Sequence, residues 1–254
     1  MTRRTLLLVT AIGLVPLSIA ALLGFEIQRA RITARPDYGP VLDLDAAVNG
    51  AVESSPTVVW LGDSTASGVG VHQSADALPR QTAALSGLPQ NLISLAVSGA
   101  RVGDVLHKQL PLVPASASVV VIDIGANDVV HAARVATFRG QYLQVLKGLP
   151  PHARVVLLGV PDMGSPPRLD EPLRAIVGWR GRQFDAEVRS IARSRHLAYV
   201  DIAKATGSAF RHHPKEYFFG DEYHPNVAGY RLWAEAVAPV LAAVLDDLGV
   251  VAAQ

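Results

Sequence analysis

The stretch Val58-Val59-Trp60-Leu61-Gly62-Asp63-Ser64-Thr65-Ala66-Ser67-Gly68 decides how this chain folds. An apolar run rich in β-branched residues stops abruptly at Gly-Asp-Ser, and a segment of small residues follows. A short continuous apolar run closed by turn residues is the pattern of a buried parallel strand. Open α/β sheets place their chemistry at the carboxyl ends of such strands. A serine there presents its hydroxyl at the sheet edge with its backbone N–H free. It can also sit at a helix N-terminus, where unpaired amides favour an anion. Taken alone, Gly-Asp-Ser is ordinary strand-end punctuation. Its meaning depends on what lies downstream.

Downstream, short apolar runs alternate with segments of helical spacing. Strands are expected at 57–61, 91–97, 118–124, 154–160 and 197–202, and helices at 78–88, 102–110, 136–149, 174–195 and 226–248. The segment carrying His212, His213 and Pro214 reads as a loop. Strands that alternate with helices need right-handed crossovers and a parallel sheet covered on both faces. The fold class is therefore α/β: a single doubly wound, flavodoxin-like domain over 56–254, built on a five-stranded parallel sheet.

The bulk properties agree with one such domain. The chain has 254 residues, 50% of them hydrophobic, which is enough for a single large core. Lys plus Arg number 23 against 22 for Asp plus Glu, so no charge excess points to nucleic acid. The absence of Cys excludes thiol catalysis, disulfides and cysteine-based metal sites.

Arg3 and Arg4 precede an uncharged apolar run from Leu6 to Phe25, long enough to cross a bilayer as a helix. A basic flank before such a run favours a cytoplasmic amino terminus and export of the rest. Ser18-Ile19-Ala20 offers a small-x-small cleavage pattern, so 1–31 is either a signal anchor or a signal peptide. Leu22, Leu23 and Phe25 carry the apolar run past that point, which suits an uncleaved anchor better. The expectation is an exported domain, anchored through 6–25 or released, behind this N-terminal hydrophobic helix. Residues 32–55 lack periodicity and carry Pro36, Gly39, Pro40 and Gly50, the composition of a linker.

Three consecutive strands end in related punctuation: Gly62-Asp63-Ser64, Ser98-Gly99-Ala100 and Gly125-Ala126-Asn127-Asp128. A fourth block, Asp221-Glu222-Tyr223-His224-Pro225, precedes the last helix. Acyl transfer by serine needs a nucleophile, a base, a carboxylate that orients the base, and donors for the developing oxyanion. These blocks supply one candidate for each role.

Taken together the blocks resemble the SGNH hydrolases, the GDSL-like esterases and lipases, whose marker residues Ser, Gly, Asn and His occur in that order. Thr65 stands where the family nickname has leucine. The resemblance implies Ser64 as nucleophile, His224 as general base and Asp221 as the group that holds the imidazole in its productive tautomer. It implies an oxyanion hole made by the backbone N–H groups of Ser64 and Gly99 and the Asn127 side-chain amide. Glycine at 99 fits a donor that must approach the substrate closely. Asp128 reads as a cap or structural hydrogen bonder, and Asp63 as a brace for its turn.

The expected activity is hydrolysis of carboxylic esters, of a small molecule, lipid or glycan, by a monomer without cofactor. One alternative is an acyltransferase that hands the same acyl group to a sugar or lipid hydroxyl. Another is a carbohydrate-binding domain without turnover. A metal site at His212, His213 and Asp221 lacks ligand spacing and is not expected. The loop 162–172 reads as a lid or a fixed rim, and Trp179, Arg180 and Arg182 as a solvated face or a cleft wall.

Overall fold

The computed structural model describes residues 36–250, with Gly24 and Gln28 besides. The expected hydrophobic helix at 6–25 falls outside the described residues, Gly24 apart. In chain order the elements are β1 (Ala46–Val48), β2 (Thr57–Gly62), α1 (Leu78–Ser86), β3 (Gln90–Ser94) and α2 (Val102–Asp104). Next come β4 (Ala117–Asp123), α3 (Ala126–Val130), α4 (Val135–Gly148), β5 (Arg154–Leu158) and α5 (Leu173–Arg195). The chain finishes with β6 (Ala198–Val200), α6 (Ile202–His212), α7 (Pro214–Tyr217) and α8 (Val227–Asp246).

The sheet order is β1-β3-β2-β4-β5-β6, and every pairing from β3 to β6 is parallel. The five expected strands therefore form the parallel sheet of a doubly wound fold. β2 lies between its two successors in the chain, so the crossovers leave it on opposite sides. That topological switch point opens a crevice at the carboxyl ends of the strands.

Alternate side chains of β2 feed two cores. Val58 and Trp60 join Leu78, Phe210, Tyr230, Trp233 and Leu241 on one face. Val59 and Leu61 join Phe138, Tyr142, Phe184 and Ile191 on the other. A strand buried on both faces has no place for a polar residue before its end. Hence the first polar side chains after β2, Asp63 and Ser64, fall at the sheet edge.

Two expectations are corrected. The stretch 32–55 is not only a linker: Ala46–Val48 adds a sixth, antiparallel strand beside β3, and Leu44 is buried in the core. Three residues are too few for alternation to stand out among the prolines and glycines around them. The segment expected as a loop before Pro214 is helix α6, capped by Asp201, whose carboxylate accepts from the Lys204 N–H at 3.0 Å. Ile202, Thr206 and Phe210 form its buried stripe at four-residue spacing.

α8 is long and apolar enough to cross a membrane by composition, with mean hydropathy 1.3. Here it lies over the sheet, with Tyr230, Trp233, Val237, Leu241 and Leu245 buried.

Candidate active site

Ser64 sits in the turn that leaves β2. Successive backbone bonds, Ser67 N–H to Asp63 and Val69 N–H to Ser64, wind this turn tightly. The Ser64 N–H makes no hydrogen bond among the described residues. His224 arrives from the loop before α8. Its strand-like neighbour Pro225 bridges to Phe218, and Gly70 makes room for it. A Cβ on Gly70, at φ +104°, would lie 2.2 Å from the Pro225 carbonyl oxygen.

The three expected side chains meet in one line. His224 Nε2 stands 2.9 Å from Ser64 Oγ, and His224 Nδ1 stands 2.6 Å from Asp221 Oδ2. The other carboxylate oxygen, Asp221 Oδ1, accepts the backbone N–H groups of Tyr223 and His224, each at 3.0 Å. Burial alone would raise the Asp221 pKa, but the bonds from His224 and Tyr38 outweigh it and hold it at about 2. Asp221 is therefore a carboxylate throughout the neutral range. That leaves the Nδ1 proton on the Asp221 side and an Nε2 lone pair towards Ser64.

Tyr38 was not expected in the site. Its hydroxyl donates to Asp221 Oδ2 at 2.8 Å from a stretch read as linker. No sequence pattern marks it, because a single tyrosine 183 positions from its partner carries no periodicity.

Gly99 follows β3 in an exposed turn at φ +81°, and a Cβ there would meet no atom within 4 Å. In the free protein, then, the backbone conformation is what favours glycine. Asn127 is the second residue of α3, which begins after Gly125, and its Nδ2 donates to Asp63 Oδ2 at 3.2 Å. One amide proton remains for the crevice.

Asp63 does more than brace its turn. Its Oδ1 accepts the Thr65 N–H at 3.2 Å and lies 3.1 Å from Thr65 Oγ1. Thr65 Oγ1 lies 2.6 Å from Asp123 Oδ2. The one hydroxyl proton of Thr65 cannot serve two carboxylates, so a carboxyl proton must complete this buried bridge. Burial, and the Asp123 charge beside it, push the Asp63 pKa up strongly, and burial raises that of Asp123 as well. Asp128 is structural as expected, accepting the Val102 N–H at 3.0 Å.

A cavity of about 40 Å³ opens beside Ser64, Asn127 and His224, and the loop 161–167 lines it through Pro161, Met163 and Pro166. Arg180 ties α5 to the Val129 and Ala133 carbonyls, Trp179 is exposed, and Arg182 borders a separate groove. None of these three lines the Ser64 cavity. Among the described residues no cluster of His and acidic side chains could hold a metal ion.

The family model described as the GDSL-like lipase/acylhydrolase family matches residues 60–232, more than half of the chain. The chain belongs to the GDSL-like lipase/acylhydrolase family. As a member of this family it is an ester hydrolase. Solved structures agree in fold. Phospholipase A1 from Streptomyces albidoflavus NA297 is 24% identical at TM-score 0.56, over 75% of this chain and 99% of that one. An extracellular lipase from Streptomyces rimosus is 26% identical at TM-score 0.55, over 75% and 100%. A lipase/acylhydrolase from Enterococcus faecalis is 21% identical at TM-score 0.59, over 79% and 100%. No curated protein matches the chain.

Proposed function

We propose that this family member cleaves carboxylic esters through an acyl-enzyme on Ser64. The observation that carries the reading is the unbroken hydrogen-bonded line from Asp221 through His224 to Ser64, at 2.6 and 2.9 Å. Ser64 Oγ attacks the acyl carbon while its proton passes to His224 Nε2. The oxyanion forms against the N–H groups of Ser64 and Gly99 and the free Asn127 amide proton, each worth about 3–4 kcal/mol of barrier in comparable sites. The acyl C–O bond then breaks, and His224 gives its proton to the departing alkoxide. Water attacks the acyl-enzyme, losing its proton to the same nitrogen, and the acid leaves as Ser64 regains its hydrogen. Asp221 stays ionised throughout and orients the ring. The apolar run at 6–25 would hold this exported domain at a membrane.

A fluorophosphonate probe tests the nucleophile. The expected result is one adduct at Ser64 by peptide mapping, absent from Ser64→Ala. Folded protein that takes no adduct, or takes it elsewhere, refutes the assignment.

A further inference from the structure

We propose that the acyl site of this enzyme accepts short chains, of about two to four carbons, and rejects long ones. The inference rests on Ser64 being the nucleophile. It starts from the cavity of about 40 Å³ bounded by Ser64, Asn127 and His224. That is little room for the centre of a water-sized group to move in, enough for a short acyl chain and not for a long one. Its lining includes the apolar Met163, Phe210 and Trp233, which suit the hydrocarbon of the acid. The alcohol must instead leave where His224 can protonate it.

The walls are fixed by close packing of backbone. Met163 is buried against α5, where a Cβ on Gly181 would lie 2.8 Å from Met163 Cγ. A Cβ on Gly178 would lie 3.0 Å from Gly164 Cα. The loop thus rests on the bare helix and has nowhere to withdraw. On its other side Asp162 is paired with Arg211 of α6, and Gly207 brings that helix against it. Phe210 is wedged edge-to-face on Phe218, with ring centroids 4.9 Å apart. Interiors packed to this density do not stretch to admit several methylenes.

A far larger groove, about 930 Å³, lies beyond Pro161, Asp162 and Met163. Its lining includes none of Ser64, Asn127 and His224, so it does not lengthen the acyl site.

The test is kcat/KM for p-nitrophenyl acetate, butyrate and octanoate, below their solubility limits. Acetate and butyrate should exceed octanoate at least tenfold, since each methylene that finds no room between these walls is costly. Met163→Ala should raise the octanoate-to-butyrate ratio at least fivefold. Gly181→Ala, which pushes Met163 towards the cavity, should lower butyrate relative to acetate, and it serves where Met163→Ala fails to fold. Octanoate equal to or above butyrate in the unmodified enzyme overturns the short-chain inference while leaving Ser64 in its role. Ratios that neither variant moves overturn it too. Folded protein that hydrolyses none of the three esters takes down the serine-ester reading, and this inference with it.

Discussion

Asp63 is a carboxyl group placed beside the nucleophile candidate yet bonded to Thr65 and, through it, to Asp123. With its pKa raised by burial and by Asp123, it stays protonated in the folded state when the unfolded chain has already ionised it. Above about pH 4 the unfolded state then binds fewer protons than the folded one, so stability falls as pH rises. The slope from one such group is at most about 1.4 kcal/mol per pH unit. Asparagine cannot ionise. Urea unfolding of Asp63→Asn and the unmodified protein should therefore show the difference moving in favour of the variant between pH 5 and 7. Parallel curves would mean that Asp63 is ionised in the folded protein. A neutral Asp63 also makes chemical sense, since a full charge on the partner of Asn127 would oppose an oxyanion at the same amide.

At the scale of elements, β1 and the residues before it act as part of the domain. Leu44 fills the core beside β1, Val48 packs against that core, and Tyr38 reaches Asp221. A chain beginning at residue 36 should fold and turn over esters. One beginning at residue 56 should lose several kcal/mol, because a buried leucine alone is worth about 2–5 kcal/mol when truncated. It should also lose activity in proportion to the unfolded fraction or more, through the missing Tyr38 bond. Equal urea midpoints and equal turnover for the two would return 36–55 to the role of a mere linker. Helix α6 shows the same kind of dependence. Its cap and stripe are local, but it matters to the site because Phe210 lines the cavity and Arg211 pairs with Asp162 of the loop that borders it.

For the molecule as a whole, the domain and the segment before it are tested separately. The crevice belongs to the sheet topology, and its described lining runs from Ser64 to Trp233. The apolar run at 6–25 carries the membrane proposal. Full-length protein from cells should need detergent for extraction, as an uncleaved anchor requires. A shortened soluble form beginning near residue 21 would instead mean signal cleavage.

The amino-acid sequence by itself determined the parallel sheet, because strands buried on both faces must be continuously apolar and must end at turn residues. It also determined the order of the site blocks: three follow parallel strands that all end on the same edge, and the fourth, with Asp221 and His224, precedes the last helix. Ser64, Gly99, Asn127, Asp221 and His224 were legible for that reason. The partners of Asp63 were not: the β2–β4 register sets Gly62 opposite Asp123, and only that pairing brings two distant carboxyls together. Tyr38 and β1 were hidden in the same way, being too short or too isolated to form a pattern. The size of the cavity beside Ser64 was decided by tertiary structure alone. It depends on how closely the Met163 loop approaches α5, a distance of a few ångströms that no local sequence signal encodes.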